Sequence, residues 1–235
     1  MPNERPPDRT WRYGEDRDHV ADVYLPNDGI APLSTLVLVH GGFWRTTYDR
    51  THLRPLAAAL AGRGHTVFSL EYRRIPGDPD ATVADVRAAV AQLPENSQLV
   101  GHSAGGHLVL WLAAEPDLTV TTVALAPVAD LALADDLNLG AGAVRAFLGS
   151  SAVGRPDLDP ARRATPRHGV VVLHGKQDDT VPIEVGASYA ELMSPTALLV
   201  AIPGCGHFEP IEPDSPAWPV LLRELDRLAE GRGIE

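Results

Sequence analysis

The sequence has few cysteines, no long apolar run and fewer basic than acidic residues. These features argue against disulfide bonds, a membrane-spanning segment and binding to nucleic acid. Its one cysteine, Cys205, cannot form an internal disulfide, and this predicts a reducing, cytoplasmic location. No apolar run approaches the ~18 residues of a membrane span, and residues 1–18 lack the apolar stretch of a signal peptide. With 31 acidic residues against 20 basic ones, the formal net charge is −11. We therefore expect neither a membrane nor a nucleic acid as a partner.

The length and composition indicate one globular domain over residues 1–235. Hydrophobic residues make up 44% of the 235 positions, which is typical of a folded domain of α/β size with a substantial core. The sequence has no internal repeat and no low-complexity tract, and it does not indicate an oligomeric state.

Strand and helix patterns alternate along most of the chain. Apolar, β-prone runs occur at residues 20–25, 35–39, 66–70, 98–100, 120–125, 169–173 and 197–202. Helical spacing of apolar residues follows these runs at residues 53–61, 83–93, 107–114, 183–193 and 221–228. This order predicts an α/β fold with a mostly parallel central sheet, helices on both faces and residues 20–25 as an edge strand. A ligand site is then expected beyond the carboxyl ends of the strands.

Residues 127–168 interrupt the alternation. They contain short apolar patches followed by a polar tract broken by prolines. A segment of this length in a compact domain usually has a function or some structure of its own. We interpret it as a small helical cap or lid insertion over the site, and a solvated loop is the alternative.

The strongest motif is the run of residues 100–106, VGHSAGG, between a predicted strand and a predicted helix. G-x-S-x-G in this setting is a nucleophile elbow, in which glycines allow a sharp turn that exposes the hydroxyl of Ser103. The amide of Ala104 then lies at a helix N-terminus, where negative charge is favoured. We therefore expect Ser103 to be a nucleophile and Ala104 to donate to an oxyanion.

A serine nucleophile needs a histidine base, and the order in this type of fold is serine, acid, histidine. His207 satisfies this order in the glycine-rich loop 203–208, after the last predicted strand. His168 precedes a strand and so lies at the wrong edge of the sheet, whereas His174 precedes the acid. His207 is therefore the expected base.

The acid is expected in loop 174–182, which has the sequence HGKQDDTVP. Asp178 and Asp179 both follow the strand at residues 169–173, and spacing alone does not separate them. Glu184 and Asp130 are weaker alternatives.

A second oxyanion donor is expected after the strand at residues 35–39, where residues 40–44 have the sequence HGGFW. This resembles the HGGG loop of lipases and esterases, so the amides of Gly42 and Phe43 are the candidates.

Trp44 and Phe208 flank these loops, and they either line a substrate pocket or belong to the core. No cluster of histidine, cysteine and carboxylate residues has metal-site spacing, so we expect no metal and no cofactor.

Two further groups of residues have a structural and a chemical interpretation. Glu71, Tyr72 and Arg73 follow a strand at the expected site edge, where a local ion pair is favoured over a substrate contact. Cys205 lies close to His207, but Ser103 already fills the nucleophile's place, so a small buried thiol is the better interpretation.

Together these motifs resemble the α/β-hydrolase superfamily over residues 13–228. The HGGFW segment, the elbow GHSAGGHL at residues 101–108 and the HFE segment at residues 207–209 are more specifically similar to the arylformamidase (kynurenine formamidase) and small acetyl-esterase branch. The acid loop matches a superfamily pattern in which the aspartate four residues after the histidine is the triad acid. This resemblance implies Asp178, rather than Asp179, in that role.

The sequence and the resemblance together predict a serine hydrolase that acts on a small ester or an activated amide such as an aryl formamide. Ser103, His207 and Asp178 would form the triad, and the acyl-enzyme would be the intermediate. Two alternatives remain: a ligand-binding protein of the same fold without hydrolytic activity, and a perhydrolase or C–C hydrolase that uses the same triad. The chain is short, which argues against large lipid substrates.

Overall fold

The computed structural model describes residues 5–27 and 32–231. Within these ranges the strands are β1 (Arg9–Arg12), β2 (Val20–Tyr24), β3 (Thr35–Val39), β4 (Thr66–Leu70), β5 (Gln98–His102), β6 (Thr121–Leu125), β7 (Val170–Gly175) and β8 (Ala197–Ile202). The helices are α1 (Arg54–Gly62), α2 (Pro79–Val90), α3 (Ala104–Ala113), α4 (Leu131–Asp136), α5 (Leu139–Leu148), α6 (Ile183–Leu192) and α7 (Trp218–Ala229). None of the helices in these ranges is long and apolar enough to cross a lipid bilayer.

The strands form one sheet in the order β1-β2-β4-β3-β5-β6-β7-β8. Strands β3 to β8 pair in parallel, while β1 and β2 run antiparallel at one side. The parallel strands β3 and β7 are almost wholly buried and have near-continuous apolar sequences, as expected for strands covered on both faces. This arrangement confirms the predicted α/β-hydrolase type of architecture.

Two apolar layers cover the sheet. Helices α1 and α7 pack on one face through residues such as Leu56, Leu60, Leu221 and Leu225. The other face is covered by helices α2 to α6, and α3 is buried along its whole length. Burial of both faces explains why the carboxyl ends of the parallel strands, rather than the faces of the sheet, remain available for a site.

Some predicted boundaries were wrong. Strand β2 is not an edge strand, because β1 pairs with its outer side; the charged sequence RTWR of β1 gave no apolar alternation to predict it. Helix α2 begins after the N-cap Asp78 and ends at Val90, before Leu93. Strand β7 continues through His174 to Gly175, because both residues pair with β8. The stretch considered for a signal peptide, residues 1–18, begins with four residues that lie outside the described ranges. Residues 232–235, at the other terminus of the expected domain, also lie outside them.

The segment 127–168 forms helices α4 and α5 and two short 3-10 turns. Most of its apolar side chains are buried in the same layer as α3, and these include Leu131, Val144, Phe147 and Leu158. The segment is therefore packed into the body of the fold rather than standing apart as a solvated loop. Its role as a cap, and the single domain over residues 1–235, stay predictions.

Candidate active site

Ser103 occupies the turn between β5 and α3 in a backbone conformation that is unusual for a residue with a side chain. Its φ is 55° and its ψ is −116°, directly before the first residue of the helix. The Ser103 amide donates to the Leu125 carbonyl oxygen at 2.9 Å, which ties the turn to the neighbouring strand β6. Such strained residues persist only where the surrounding structure holds them, and they concentrate at functional sites. The geometry is that of the predicted elbow.

The elbow also requires helix α3 to pass very close to strand β3. A Cβ atom added to Gly105 would lie 2.0 Å from the Val39 carbonyl oxygen and 2.5 Å from that of His40. Only glycine permits this approach. The crossing brings the N-terminus of α3, and with it the Ala104 amide, next to the loop that follows β3.

The imidazole of His207 is hydrogen-bonded to Asp178, with 2.8 Å between Nδ1 and Oδ2. The other oxygen of Asp178, Oδ1, accepts from the amides of Thr180 at 2.9 Å and Val181 at 2.8 Å. The carboxylate is thus held on both oxygens. With Nδ1–H donating to Asp178, Nε2 is the ring nitrogen of His207 that is able to accept a proton.

Asp178 is held in its ionised form. Burial alone would raise its pKa, but hydrogen bonds from His174 and His207 and from backbone amides outweigh that effect and hold the pKa well below its ordinary value. An ionised acid is what is needed to orient a histidine and to stabilise its protonated form.

The other acidic candidates lie apart from His207. The side chain of Asp179 is exposed and accepts from the Thr180 hydroxyl at 3.3 Å. Asp130 caps helix α4 and accepts from the Ser188 hydroxyl at 2.7 Å. Glu184 lies in the first turn of α6, where a negative charge favours the helix N-terminus.

Ser103 and His207 line the same cavity, which has a volume of about 190 Å³. Its other lining residues are Gly42, Phe43, Arg45, Tyr48, His52, His102, Thr180 and Phe208. Among the described residues, the hydroxyl of Ser103 makes no hydrogen bond to the ring of His207. Catalytic hydrogen bonds of this kind are often long without substrate and tighten when substrate binds.

The loop after β3 has an unusual backbone at three consecutive residues. Gly42, Phe43 and Trp44 have φ values of 107°, 51° and 54°. Two of these residues are not glycine, so the surrounding structure must hold the loop. The left-handed turn places Gly42 and Phe43 at the cavity with Ser103.

A buried polar cluster holds the start of this loop. His40 is within 2.8 Å of the Gly41 carbonyl oxygen through Nδ1 and within 3.0 Å of the Glu71 carboxylate through Nε2. The hydroxyl of Tyr72 donates to the His40 carbonyl oxygen at 2.8 Å, and its ring stacks on the imidazole of His40. Arg74 pairs with Glu71. Because buried hydrogen bonds and ion pairs rigidify their surroundings, this cluster orients the loop that carries the candidate oxyanion donors.

The ion-pair interpretation of Glu71 and Arg73 is confirmed, but the two residues have different partners. Glu71 pairs with Arg74 and with His40, whereas Arg73 pairs with Asp85 at 2.5 Å.

Cys205 is fully buried and free, as expected for a structural thiol, and burial raises the pKa of its thiol. In the described part of the chain, no group of three or more histidine, cysteine or acidic side chains is arranged to hold a metal ion.

The two aromatic candidates have different surroundings. Phe208 lines the cavity and is 49% exposed. Trp44 is buried; it stacks on Phe147 with 4.4 Å between ring centroids and meets the edge of His107. It lines a second cavity instead of the one that contains Ser103. Phe43 borders both cavities, whereas Trp44 borders only the second one.

Sequence reasoning missed the position of His174. This fully buried residue lies in β7, and its Nε2 is 2.8 Å from the Val181 carbonyl oxygen and 3.3 Å from Oδ2 of Asp178. The serine–acid–histidine order excluded His174 as the base but gave no reason to test it as a second partner of Asp178. Its place four residues before Asp178, at the end of a buried strand, was the available signal.

His102 supports the histidine loop from the other side. Its Nε2 donates to the His207 carbonyl oxygen at 3.0 Å, and its ring lies against that of His207. Burial, followed by the proximity of His207, lowers the pKa of His102 to about 3. The ring is therefore neutral at physiological pH and acts as a hydrogen-bond donor rather than as a charge.

Comparison with known proteins identifies the family. A model of the alpha/beta hydrolase family matches residues 36–158, more than half of the chain, and the chain belongs to this family. It is similar to the kynurenine formamidase of Danio rerio, with 34% identity over 104 residues, and to that of Salmo salar, with 30% identity over 103 residues. Each match covers 41% of this chain and 35% of the relative, so the chain spans about a third of the length of these relatives.

Solved structures support the fold over nearly the whole chain. A thermophilic esterase of Thermogutta terrifontis with propionate bound has a TM-score of 0.72 and 24% identity, covering 96% of this chain and 94% of that one. Esterase B of Lactobacillus rhamnosis has a TM-score of 0.75 and 18% identity, covering 97% and 88%. The predicted resemblance to the arylformamidase and esterase branch is confirmed, and so, at the level of the family, is the prediction of an enzyme of the hydrolase class.

Proposed function

We propose that this α/β-hydrolase is a serine hydrolase that cleaves a small carboxylic ester or an activated amide, such as an aryl formamide. The observation that carries the proposal is the Asp178–His207 hydrogen bond beside a cavity whose wall includes the strained Ser103. The similarity to kynurenine formamidases supports the aryl formamide, and the small cavity supports a small substrate. Ligand pockets are commonly about 300–1,000 Å³, and this one lies below that range.

In the proposed mechanism, His207 removes the proton of the Ser103 hydroxyl as the oxygen attacks the substrate carbonyl carbon. His207 then gives that proton to the leaving alcohol or amine, and the acyl group remains on Ser103. A water molecule, deprotonated by His207, hydrolyses the acyl-enzyme and regenerates the serine. Asp178 keeps His207 in the tautomer whose Nε2 faces the serine and stabilises the imidazolium.

The tetrahedral intermediates carry a negative oxygen that needs backbone donors. We assign these donors to the amides of Ala104, at the N-terminus of α3, and of Gly42 and Phe43. The buried cluster around His40 and Glu71 fixes the loop in advance, so the donors need no rearrangement during the reaction. These groups supply every role in the mechanism, so no cofactor is required.

We also propose that residues 127–168 form a cap insertion in a single domain, with a cytoplasmic location. The support for the cap is its contact with the oxyanion loop, where Phe147 stacks on Trp44 and Arg45 donates to the Gly140 carbonyl oxygen. The support for the location is the single, buried cysteine.

A fluorophosphonate probe tests the nucleophile directly. The wild-type protein should be labelled and should hydrolyse p-nitrophenyl acetate, whereas Ser103→Ala should lose labelling and about 10⁶-fold in kcat. Ser150→Ala, which removes an exposed hydroxyl, is the matched control and should retain both. A wild-type protein that binds small esters but is neither labelled nor active would instead be a ligand-binding member of the family.

The substrate class is tested by comparing N-formylkynurenine with short acyl esters at equal enzyme concentration. A kcat/KM for the formamide at or above that for the esters supports the aryl formamide. A strong preference for the esters removes it and leaves a small-ester hydrolase. Peroxide-dependent halogenation, assayed in parallel, identifies a perhydrolase.

A further inference from the structure

One residue of the cavity that contains Ser103 is a cation, and the proposed mechanism does not use it. Arg45 follows the left-handed turn of the oxyanion loop and lines this cavity together with Ser103 and His207. No aspartate or glutamate is among the lining residues. A substrate bound beside Ser103 therefore meets a positive charge that no acidic group of the same cavity neutralises.

The contacts of Arg45 hold its guanidinium in place without neutralising it. One nitrogen donates to the Gly140 carbonyl oxygen on helix α5, and the group lies 5.8 Å from the centroid of the Phe43 ring. Within the described ranges, no carboxylate lies within ion-pair distance of this side chain, whereas most other arginines have acidic partners. A guanidinium carries several N–H donors, so most of them remain available to a ligand.

The remaining groups of the cavity provide an uncharged, largely aromatic wall. Burial lowers the pKa of His52, and His102 is neutral at physiological pH for the reason given above. Phe43, Tyr48 and Phe208 contribute rings. Among the lining residues, all in the described part of the chain, Arg45 therefore carries the only permanent charge.

A second cavity, of about 240 Å³, is lined by residues of the same loop. Arg45 and Phe43 line both cavities, and the second one also lacks acidic residues. The guanidinium thus borders both cavities. The protein as a whole repels anions because its formal net charge is −11, so a local cation is what an anionic substrate would need.

We propose that Arg45 forms an anion subsite and that the substrate of this enzyme carries a carboxylate on a flat, apolar or aromatic body, beyond the bond that is cleaved. Arginine suits this role because its planar fork matches the two oxygens of a carboxylate. The proposal rests on the proposed function, since it specifies the substrate class of the same site.

The test compares two acetyl esters of similar shape, 4-acetoxybenzoate and the neutral 4-acetoxybenzamide. At low salt the wild-type protein should favour the anion in kcat/KM, and Arg45→Gln should lower the anion-to-neutral ratio about tenfold. Arg45→Lys keeps the charge and should retain most of the preference. The preference should weaken as salt is raised, because the site is exposed to solvent.

Arg63→Gln is the matched control, because it removes an exposed arginine that caps α1 at the opposite edge of the sheet. It should leave the ratio unchanged. The proposal is overturned if Arg45→Gln leaves the ratio unchanged, or if Arg63→Gln lowers it equally, which would indicate an effect of net charge alone.

A binding measurement separates this inference from the proposed function. Calorimetric titration of Ser103→Ala with 4-hydroxybenzoate and 4-hydroxybenzamide reports the subsite without any chemistry. If neither ester is hydrolysed but the anion binds more tightly through Arg45, the proposed function fails and the subsite stands. If both esters are hydrolysed equally and neither compound binds preferentially, the subsite fails and the hydrolase stands.

Discussion

Asp178 and Asp179 are adjacent and carry the same functional group, yet the fold gives them opposite surroundings. Asp178 receives donors on both carboxylate oxygens and holds the His207 ring. Asp179 faces solvent. The difference arises because the chain turns tightly after β7 and can direct only one of two successive side chains toward the histidine loop.

This pair provides a controlled test of the acid. Asp178→Asn should lower kcat by about 10⁴-fold, because an amide at this position favours the wrong tautomer of His207. Asp179→Asn removes the same charge one residue away and should leave kcat unchanged. Steady-state kinetics with p-nitrophenyl acetate measure both variants, and equal losses would contradict the assignment of the acid to Asp178.

We expect His174 to be a positioning residue for the proposed acid, because it shares Oδ2 of Asp178 with His207. In His174→Leu, the carboxylate loses this donor, so more of its negative charge is available to the protonated His207. The acid limb of the kcat/KM profile should therefore move to higher pH, and kcat should fall. His174→Gln can place an N–H near the position of Nε2, so the acid limb of its kcat/KM profile should lie at the same pH as in the wild type.

A role for His174 in packing alone predicts a different result. Both variants would then lower the free energy of unfolding while the pH–rate profile stayed where it is. Rate profiles and urea unfolding of the same two variants distinguish these outcomes.

At the scale of the secondary-structure elements, the crossing of α3 over β3 determines the geometry of the site. It brings the elbow and the oxyanion loop together, since Gly105 touches the last residue of β3 and the first of the loop. Helix α3, which lies wholly within the described ranges, contributes no lining residue to the cavity. Its buried side chains anchor the elbow in the core. The rigidity of this crossing is what keeps the candidate amide donors close to Ser103.

Gly105→Ala should therefore destabilise the protein by more than about 3 kcal/mol, since the added Cβ would collide with backbone atoms that cannot yield easily. Gly62→Ala is the matched control in helix α1, where an added Cβ would meet nothing within 4 Å. It should be neutral or stabilising by up to about 1 kcal/mol, because alanine favours the helix and restricts the unfolded chain. Urea unfolding measures both, and similar midpoints would contradict the close crossing.

At the scale of the whole molecule, buried neutral histidines make stability depend on pH. Burial lowers the pKa of His107 from an ordinary value of 6.5 to about 4, and that of His102 to about 3. The unfolded chain then binds more protons than the folded one below about pH 6.5. The stabilising contribution is present above that pH and is lost as the pH falls toward the folded-state pKa values. Lowered pKa values of Asp178 and Glu71 extend the loss to more acidic pH.

His107 allows this to be measured away from Ser103. Its Nε2 lies 2.8 Å from the Leu158 carbonyl oxygen, so His107→Gln retains a donor without a titrating group. Between about pH 7 and pH 5, this variant should lose about 2 kcal/mol less unfolding free energy than the wild type. The partly exposed His168 serves as control, and His168→Gln should follow the wild-type curve. Parallel curves for all three proteins would contradict the prediction.

The sequence by itself determined the features that depend on local patterns. Apolar residues recur with the spacing of strands and of helices in turn, and this alternation predicted the parallel sheet and its covering helices. The spacing is informative because backbone geometry sets which residues share a face of a strand or a helix. The elbow and the HGGFW loop were recognisable because a turn of this sharpness restricts which residues fit at each position. The order serine, acid, histidine predicted His207 as the base, and His207 lines the same cavity as Ser103, since loops at one edge of a parallel sheet lie close together.

The tertiary structure alone decided what depends on side-chain direction and on contacts between distant segments. Sequence spacing alone did not decide whether Asp178 or Asp179 contacts the histidine. It also did not decide whether Trp44 lines a substrate pocket or belongs to the core. Three features have no local signature: the edge strand β1, the contact of Asp178 with His174, and the Arg45 guanidinium, which has no carboxylate partner among the described residues. Each depends on which atoms of remote loops come within a few ångströms of each other, and adjacent residues in a turn can point in opposite directions.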